Sequence, residues 1–156
     1  MKKSILLVLS AFSLQIHAQT VPIDSIKESQ IYYKLGVQYK DGSGVPMDYK
    51  KAFDYFSQAA NLGDVQSVYA VAYMQYKGLG CLQDYKAAAL LFAKGAEIGK
   101  DNSMYFYGLC WRNGYGVAKN EDSAKYWLQK SADLGYIQAI KELEMTSAEN
   151  SNDSAN

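Results

Sequence analysis

The sequence predicts an all-α chain: an α/α solenoid of three helical hairpins, each of 36 residues, with a short C-terminal capping helix. Two observations carry this. The first is a period. The stretch "DGSGVPMDYKKAFDYFSQAANLGD", residues 41–64, matches the chain again 36 residues on, and then once more. Gly42 and Gly44 fall on Gly78 and Gly80, then on Gly114 and Gly116; Asp48 falls on Asp84 and Asn120. Ala52 meets Ala88 and Ala124, Phe56 meets Phe92 and Leu128, and Gly63 meets Gly99 and Gly135. Self-similarity at a fixed period of this length marks units that bury their apolar faces only by stacking on one another. The second observation is the pattern inside each copy. Ala52, Tyr55, Phe56 and Ala59 recur at three- and four-residue spacing, which places them on one face of a helix.

The elements follow in order. A first helix is expected over about 26–41, opened by Ser25 and Glu28 at capping-box spacing. The "DGSG" turn leads to a helix over 49–62, capped by Asp48 and stopped by Gly63. The second unit repeats this as helices over 64–77 and 85–98 around "KGLG", with Asp84 as the cap. The third has helices over 101–113 and 121–134 around "NGYG", with Asn120 as the cap. A last helix over 136–145 would cover the open side of the stack, as terminal repeats require. The solenoid thus spans 24–145, with repeats at about 31–66, 67–102 and 103–138. "TSAENSNDSAN", residues 146–156, carries no apolar period and reads as a disordered tail. Gly36, Ala72 and Gly108 sit mid-helix, where small residues imply close approach by another helix, met by the low side chains of Ala52, Ala59 and Ala60.

The first 18 residues read differently. Lys2 and Lys3 precede an apolar run from Ile5 to Ile16, and Ala18 offers a cleavage point before Gln19. This is the pattern of a secretory signal peptide, and the run falls short of the roughly 20 residues that span a bilayer. The expectation is a periplasmic or secreted protein with no stable membrane insertion after cleavage. His17, the one histidine, would leave with the signal. The mature chain then has no imidazole for general-base work or for a metal site, so no catalytic residue, cofactor or metal is expected. Formal net charge is zero, with 16 basic and 16 acidic residues, so no basic field exists to bind nucleic acid.

The stretch "LGVQYKDGSGVPMDYKKAFDYFSQAANLGD" resembles the Sel-one-like repeat, a relative of the tetratricopeptide repeat. Leu35, Gly36, Tyr39, Gly42, Gly44, Val45, Asp48, Ala52, Tyr55, Ala59, Ala60 and Gly63 carry the likeness in the first copy. Tyr107, Gly108, Trp111, Gly114, Gly116, Val117, Ala124, Trp127 and Ala132 carry it in the third. The middle copy departs at Gln75, in place of an aromatic, and at Cys81, in place of valine. The resemblance implies a scaffold that holds a protein or peptide partner, not an enzyme. Its cysteine-rich, secreted relatives imply an alternative, a protein that binds β-lactams or cell-wall fragments and hydrolyses them weakly. Such an enzyme would want a serine followed three residues later by lysine, and no serine here has one; Ser123 has Lys125 two residues on. Those relatives also staple the two helices of one repeat with a disulfide. Opposite Cys110 this chain has Ser131 and Ala132, so Cys81 and Cys110 either bridge a repeat boundary or stay as separate thiols.

The 14 tyrosines point to a surface. On the first helix of each unit, three positions spaced by four and three share a face. They hold Tyr33, Val37 and Lys40, then Tyr69, Tyr73 and Tyr76, then Tyr105, Leu109 and Arg112. This face is expected to line the concave side of the stack and bind the partner, with Lys40 and Arg112 as flanking charges. Leu35 and Tyr39, on another face, are assigned to packing between units. End-to-end self-association is the alternative use of such helix exteriors.

Overall fold

The structure, a computed structural model, describes residues 23–153, with side chains as far as Thr146. Among the described residues seven α-helices follow one another: α1 (Ile23–Asp41), α2 (Tyr49–Asn61), α3 (Val65–Lys77), α4 (Tyr85–Glu97), α5 (Asp101–Asn113), α6 (Glu121–Asp133) and α7 (Ile137–Asp153). Each packs chiefly on its chain neighbours, which makes the solenoid of hairpins α1–α2, α3–α4 and α5–α6, closed by α7. The expected signal peptide, residues 1–18, lies outside the described residues.

Local chemistry sets the helix ends. The side chains of Asp48, Asp84 and Asn120 accept from the backbone N–H three residues on, at 3.0, 2.9 and 2.7 Å. Asp64 caps α3 in the same way at 2.9 Å. At the α2 end, Asp64 N–H donates to Ala59 C=O and Gly63 N–H to Ala60 C=O, with Gly63 at φ +90°. That pair of bonds is a Schellman stop, and it needs the left-handed glycine.

The core is a knob set into a hole, three times. Phe56, Phe92 and Leu128 are each no more than 1 % exposed. A Cβ at Gly36 would lie 2.6 Å from the Phe56 ring, and one at Gly108 would lie 2.8 Å from Leu128 Cγ. The small mid-helix residues are therefore approached closely, as expected, with Phe56 and Leu128 as the nearest side chains and, at Gly108, the Ala124 carbonyl oxygen 3.2 Å away. Burying one such side chain stabilises by about 1.5–3 kcal/mol.

Two expectations need correction and one refinement. Tyr39, assigned to packing between units, stacks its ring on Tyr55 of the same hairpin, with centroids 5.5 Å apart, and packs against the cluster that Ala52 and Phe56 form with Val71 and Met74 of the next unit. Ser25 is no cap, because α1 already begins at Ile23; Glu28 accepts instead from Tyr32 Oη at 3.1 Å. The last helix does not stop at 145. It continues to Asp153 through most of the stretch read as disordered, since "MTSAENSND" contains neither glycine nor proline to end it.

Candidate functional site

One groove of about 480 Å³ opens on the side formed by the first helices of the hairpins. Tyr33 and Val37 of α1 and Tyr69, Ala70 and Tyr73 of α3 form its walls, over Phe56 and Met74. Lys40 and Asp41 stand at one end; Gln66 and Asn102 also border it. The volume lies in the range that holds a small molecule or a short stretch of chain. Its existence follows from residue size. In the 36-residue register, Lys34, Ala70 and Phe106 are equivalent. Ala70 leaves the trough between α1 and α3 open. Phe106 fills the corresponding trough between α3 and α5, with its ring 6.0 Å from Tyr69, 5.4 Å from Tyr73 and 5.1 Å from Phe92.

The expected residues separate accordingly. Tyr33, Tyr69 and Tyr73 come together on the groove, half-buried, each with one side against other rings. Tyr33 lies 5.8 Å from Phe56, and Tyr69 stacks on Tyr73 at 6.3 Å. Burial, then the neighbouring Tyr136 and Tyr73, holds the Tyr69 hydroxyl well above its ordinary pKa, and Tyr69 and Tyr136 share a hydrogen bond. Tyr76 is not a surface residue. It is 8 % exposed, enclosed by Tyr85, Phe92, Phe106 and Tyr115, and burial pushes its hydroxyl up to about 12.

Tyr105 and Leu109 are half-buried and stand away from the groove; the Tyr105 ring lies 5.3 Å from Tyr136. Arg112 is no free flanking charge. Its guanidinium is 18 % exposed, hydrogen-bonded to Glu142 of α7, with Glu121 at 3.7 Å. Lys40 pairs with the adjacent Asp41. Gln66, Asn102, Tyr49 and Leu79 were not anticipated as lining residues. The signal for the first two was present, because Gln30, Gln66, Asn102 and Gln138 share one register position.

The two cysteines are free thiols, so the bridge across the repeat boundary is absent. Cys110 faces inward among Ala72, Tyr76, Ala88 and Phe92, and burial pushes it up to about 12. Cys81, half-buried in a loop, is likewise raised by burial. Neither has the depressed pKa of a nucleophile. Among the described residues, no group of three or more His, Cys, Asp or Glu side chains could hold a metal ion. No helix there is long and apolar enough to cross a membrane.

Fold and groove define a class: an α-helical repeat solenoid with an open groove on its inner helices. The Sel1 repeat model matches residues 30–64, 65–100 and 101–136, and the chain belongs to the Sel1 repeat family. No curated protein matches. Among solved structures, the chain is similar to c5321, described as a protective antigen present in uropathogenic Escherichia coli strains displaying an SLR fold. The two share 28% identity and a TM-score of 0.72 over 78% of this chain and 26% of that one. A Sel1 repeat protein from Oxalobacter formigenes is 29% identical at a TM-score of 0.67, over 74% of this chain and 46% of that one. The chain thus spans less than half of each. Helicobacter pylori cysteine rich protein B, 23% identical at a TM-score of 0.58 over 76% of this chain and 93% of that one, shares the fold.

Proposed function

We propose that this chain is an exported scaffold that binds a protein or peptide partner in the groove between α1 and α3. The observation that carries the reading is the set of three tyrosines, Tyr33, Tyr69 and Tyr73, around an apolar floor left open among the described residues. Tyrosine gives a flat contact with a polar tip at modest entropy cost, which suits a binding surface. Export rests on residues 1–18, and N-terminal sequencing of the exported protein should begin at Gln19. The β-lactam alternative rests on the cysteine-rich relatives, and the likeness to one of them extends to the fold alone.

Ala70→Phe tests the groove. It places in the open trough the ring that already fills the next one, so the fold has a precedent for it. A random-peptide phage library selected on the wild-type chain should enrich binders, which Ala70→Phe loses and Tyr126→Ser, on the outer α6, retains. Thermal stability of Ala70→Phe should stay at or above wild type, because the ring buries apolar area. Binders that ignore Ala70→Phe would place recognition elsewhere and end the reading.

A further inference from the structure

The outer face of the middle hairpin differs from its two counterparts. On α4, Lys86, Leu90, Ala93 and Glu97 are spaced by four, three and four residues. That span is close to three full turns at about 3.6 residues each, so the four form one stripe along the helix. Lys86 and Glu97 are exposed, Leu90 is 60 % exposed and Ala93 is half-buried. The 36-residue register puts Lys50, Asp54, Ser57 and Asn61 on the same stripe of α2, and Asp122, Tyr126, Gln129 and Asp133 on that of α6. Those two stripes find partners on their own helices. Lys50 reaches Asp54 at 4.0 Å, Gln129 donates to Asp133 at 2.8 Å, and Lys130 lies 4.7 Å from the centre of the Tyr126 ring. Among the described residues, neither Lys86 nor Glu97 takes part in an ion pair.

Beside the α4 stripe lies a groove of about 450 Å³, separate from the one on the inner helices. Ala87, Leu90 and Ala93 form its near side, and Tyr107 and Val117 of the third unit form its far side. One exposed leucine is ordinary. A leucine beside an apolar hole, set between opposite charges at the two ends of its stripe, is a self-complementary pattern. When a second α4 runs antiparallel to the first, Lys86 of each copy faces Glu97 of the other. Leu90 of each then meets Ala93 of the other and enters the groove beyond it. The equivalent stripes fail this test. Antiparallel pairing of α6 sets Asp122 against Asp133, like charges twice over by symmetry, and pairing of α2 sets Asp54 against Ser57 with no apolar side chain between.

We infer that this chain forms a two-fold symmetric dimer through α4, anchored by Leu90 and held in antiparallel register by two Lys86–Glu97 pairs. Burial of the leucine supplies the attraction. Exposed ion pairs add little affinity and mainly select the partner and its orientation. No residue of the stripe borders the inner groove, so both copies keep theirs open, and the dimer does not depend on what that groove binds.

Sedimentation velocity of the purified chain over a concentration series tests the pairing. Wild type should move from one chain mass to twice that mass as concentration rises. Leu90→Asp should weaken association about tenfold or more, and Lys86→Glu and Glu97→Lys should each weaken it similarly by setting like charges at both ends. An equimolar mixture of the two charge variants should recover association, because every contact then joins an acid to a base again. All three variants should melt close to wild type at concentrations where the chain is monomeric, since the altered side chains are exposed there. A chain still monomeric at about 1 mM overturns the dimer and leaves the stripe to a different protein. A dimer that survives Leu90→Asp, or charge variants whose mixture stays monomeric, overturns the antiparallel α4 contact.

Discussion

The second glycine of each hairpin turn sets up a test of how the units are joined. A Cβ added at Gly80 would sit 2.1 Å from the carbonyl oxygen of Tyr49 and 2.6 Å from Lys50 N. One at Gly116 would sit 2.2 Å from Tyr85 C=O. In both cases the turn of one unit rests on the backbone that begins the outer helix of the unit before it. Gly44 holds the same position in the first unit, yet a Cβ there meets nothing within 4 Å, because no earlier unit stands beside it among the described residues. All three glycines have nearly the same left-handed φ, +77°, +70° and +76° for residues 44, 80 and 116. Alanine at any of them therefore carries the same conformational penalty, about 1 kcal/mol. At Gly80 and Gly116 the added carbon also meets rigid backbone, and displacing it costs about 1–3 kcal/mol more. At roughly 4 °C per kcal/mol, Gly44→Ala should lower the melting temperature by about 4 °C, and the other two by about 8–16 °C. Far-UV circular dichroism during heating reads the three side by side. Equal losses at Gly44 and Gly80 would refute the joint, since the φ penalty alone would then explain both.

Alkaline pH should weaken the fold through its buried tyrosines. Unfolded tyrosine ionises near pH 10, whereas Tyr76 keeps its proton in the fold up to about 12, and burial raises Tyr69, Tyr105 and Tyr136 in the same direction. Above pH 10 the unfolded chain binds fewer protons than the folded one, so stability is full below that pH and falls as pH rises toward 12. Tyr76→Phe keeps the ring and removes the proton, and denaturant titrations from pH 8 to 11 should show a shallower decline; an unchanged slope would contradict the burial of Tyr76. The thiols give a separate check. An aromatic disulfide reagent should modify Cys81 in the native chain and Cys110 only after unfolding, and reduction should leave the intact mass unchanged. A mass gain on reduction would restore the bridge.

Much of the fold was legible because its determinants are local and repeated. Caps such as Asp48 and stops such as Gly63 act within a few residues of themselves, so their chemistry shows in the string. The three mid-helix small residues announced close packing, although not that Phe56 or Leu128 would fill the space. The site was harder to read for a different reason. Tyr33, Tyr69 and Tyr105 are equivalent by period, and nothing in the period says which will be covered. That depends on Phe106 of another helix and on Tyr136, just before α7, which meets both Tyr69 and Tyr105. Arg112 misled similarly: its partner Glu142 lies 30 residues on, in a helix outside the three repeats. The end of α7 was missed because a polar composition without apolar period does not by itself forbid a helix.

The asymmetry between the two troughs yields the last prediction. Among the described residues, the trough between α1 and α3 is open and that between α3 and α5 is filled because position 70 is alanine and position 106 is phenylalanine. Phe106 touches Tyr69, Tyr73, Tyr76 and Phe92, so it serves as filling for the second trough and as support for one wall of the first. Phe106→Ala should open the second trough at a cost of about 3–5 kcal/mol, the usual range for deleting a packed ring. The loss should fall near the low end, because Phe106 is half-buried and solvent can enter the vacated space. Peptide binding should weaken as well, since Tyr73 loses the edge contact at 5.4 Å that orients it toward the first groove. Phe106→Leu restores part of the volume without the ring, so it should recover stability more fully than binding. If Phe106→Ala instead left melting unchanged, Phe106 would not be filling a trough, and the contrast with Ala70 could not explain why the groove opens where it does.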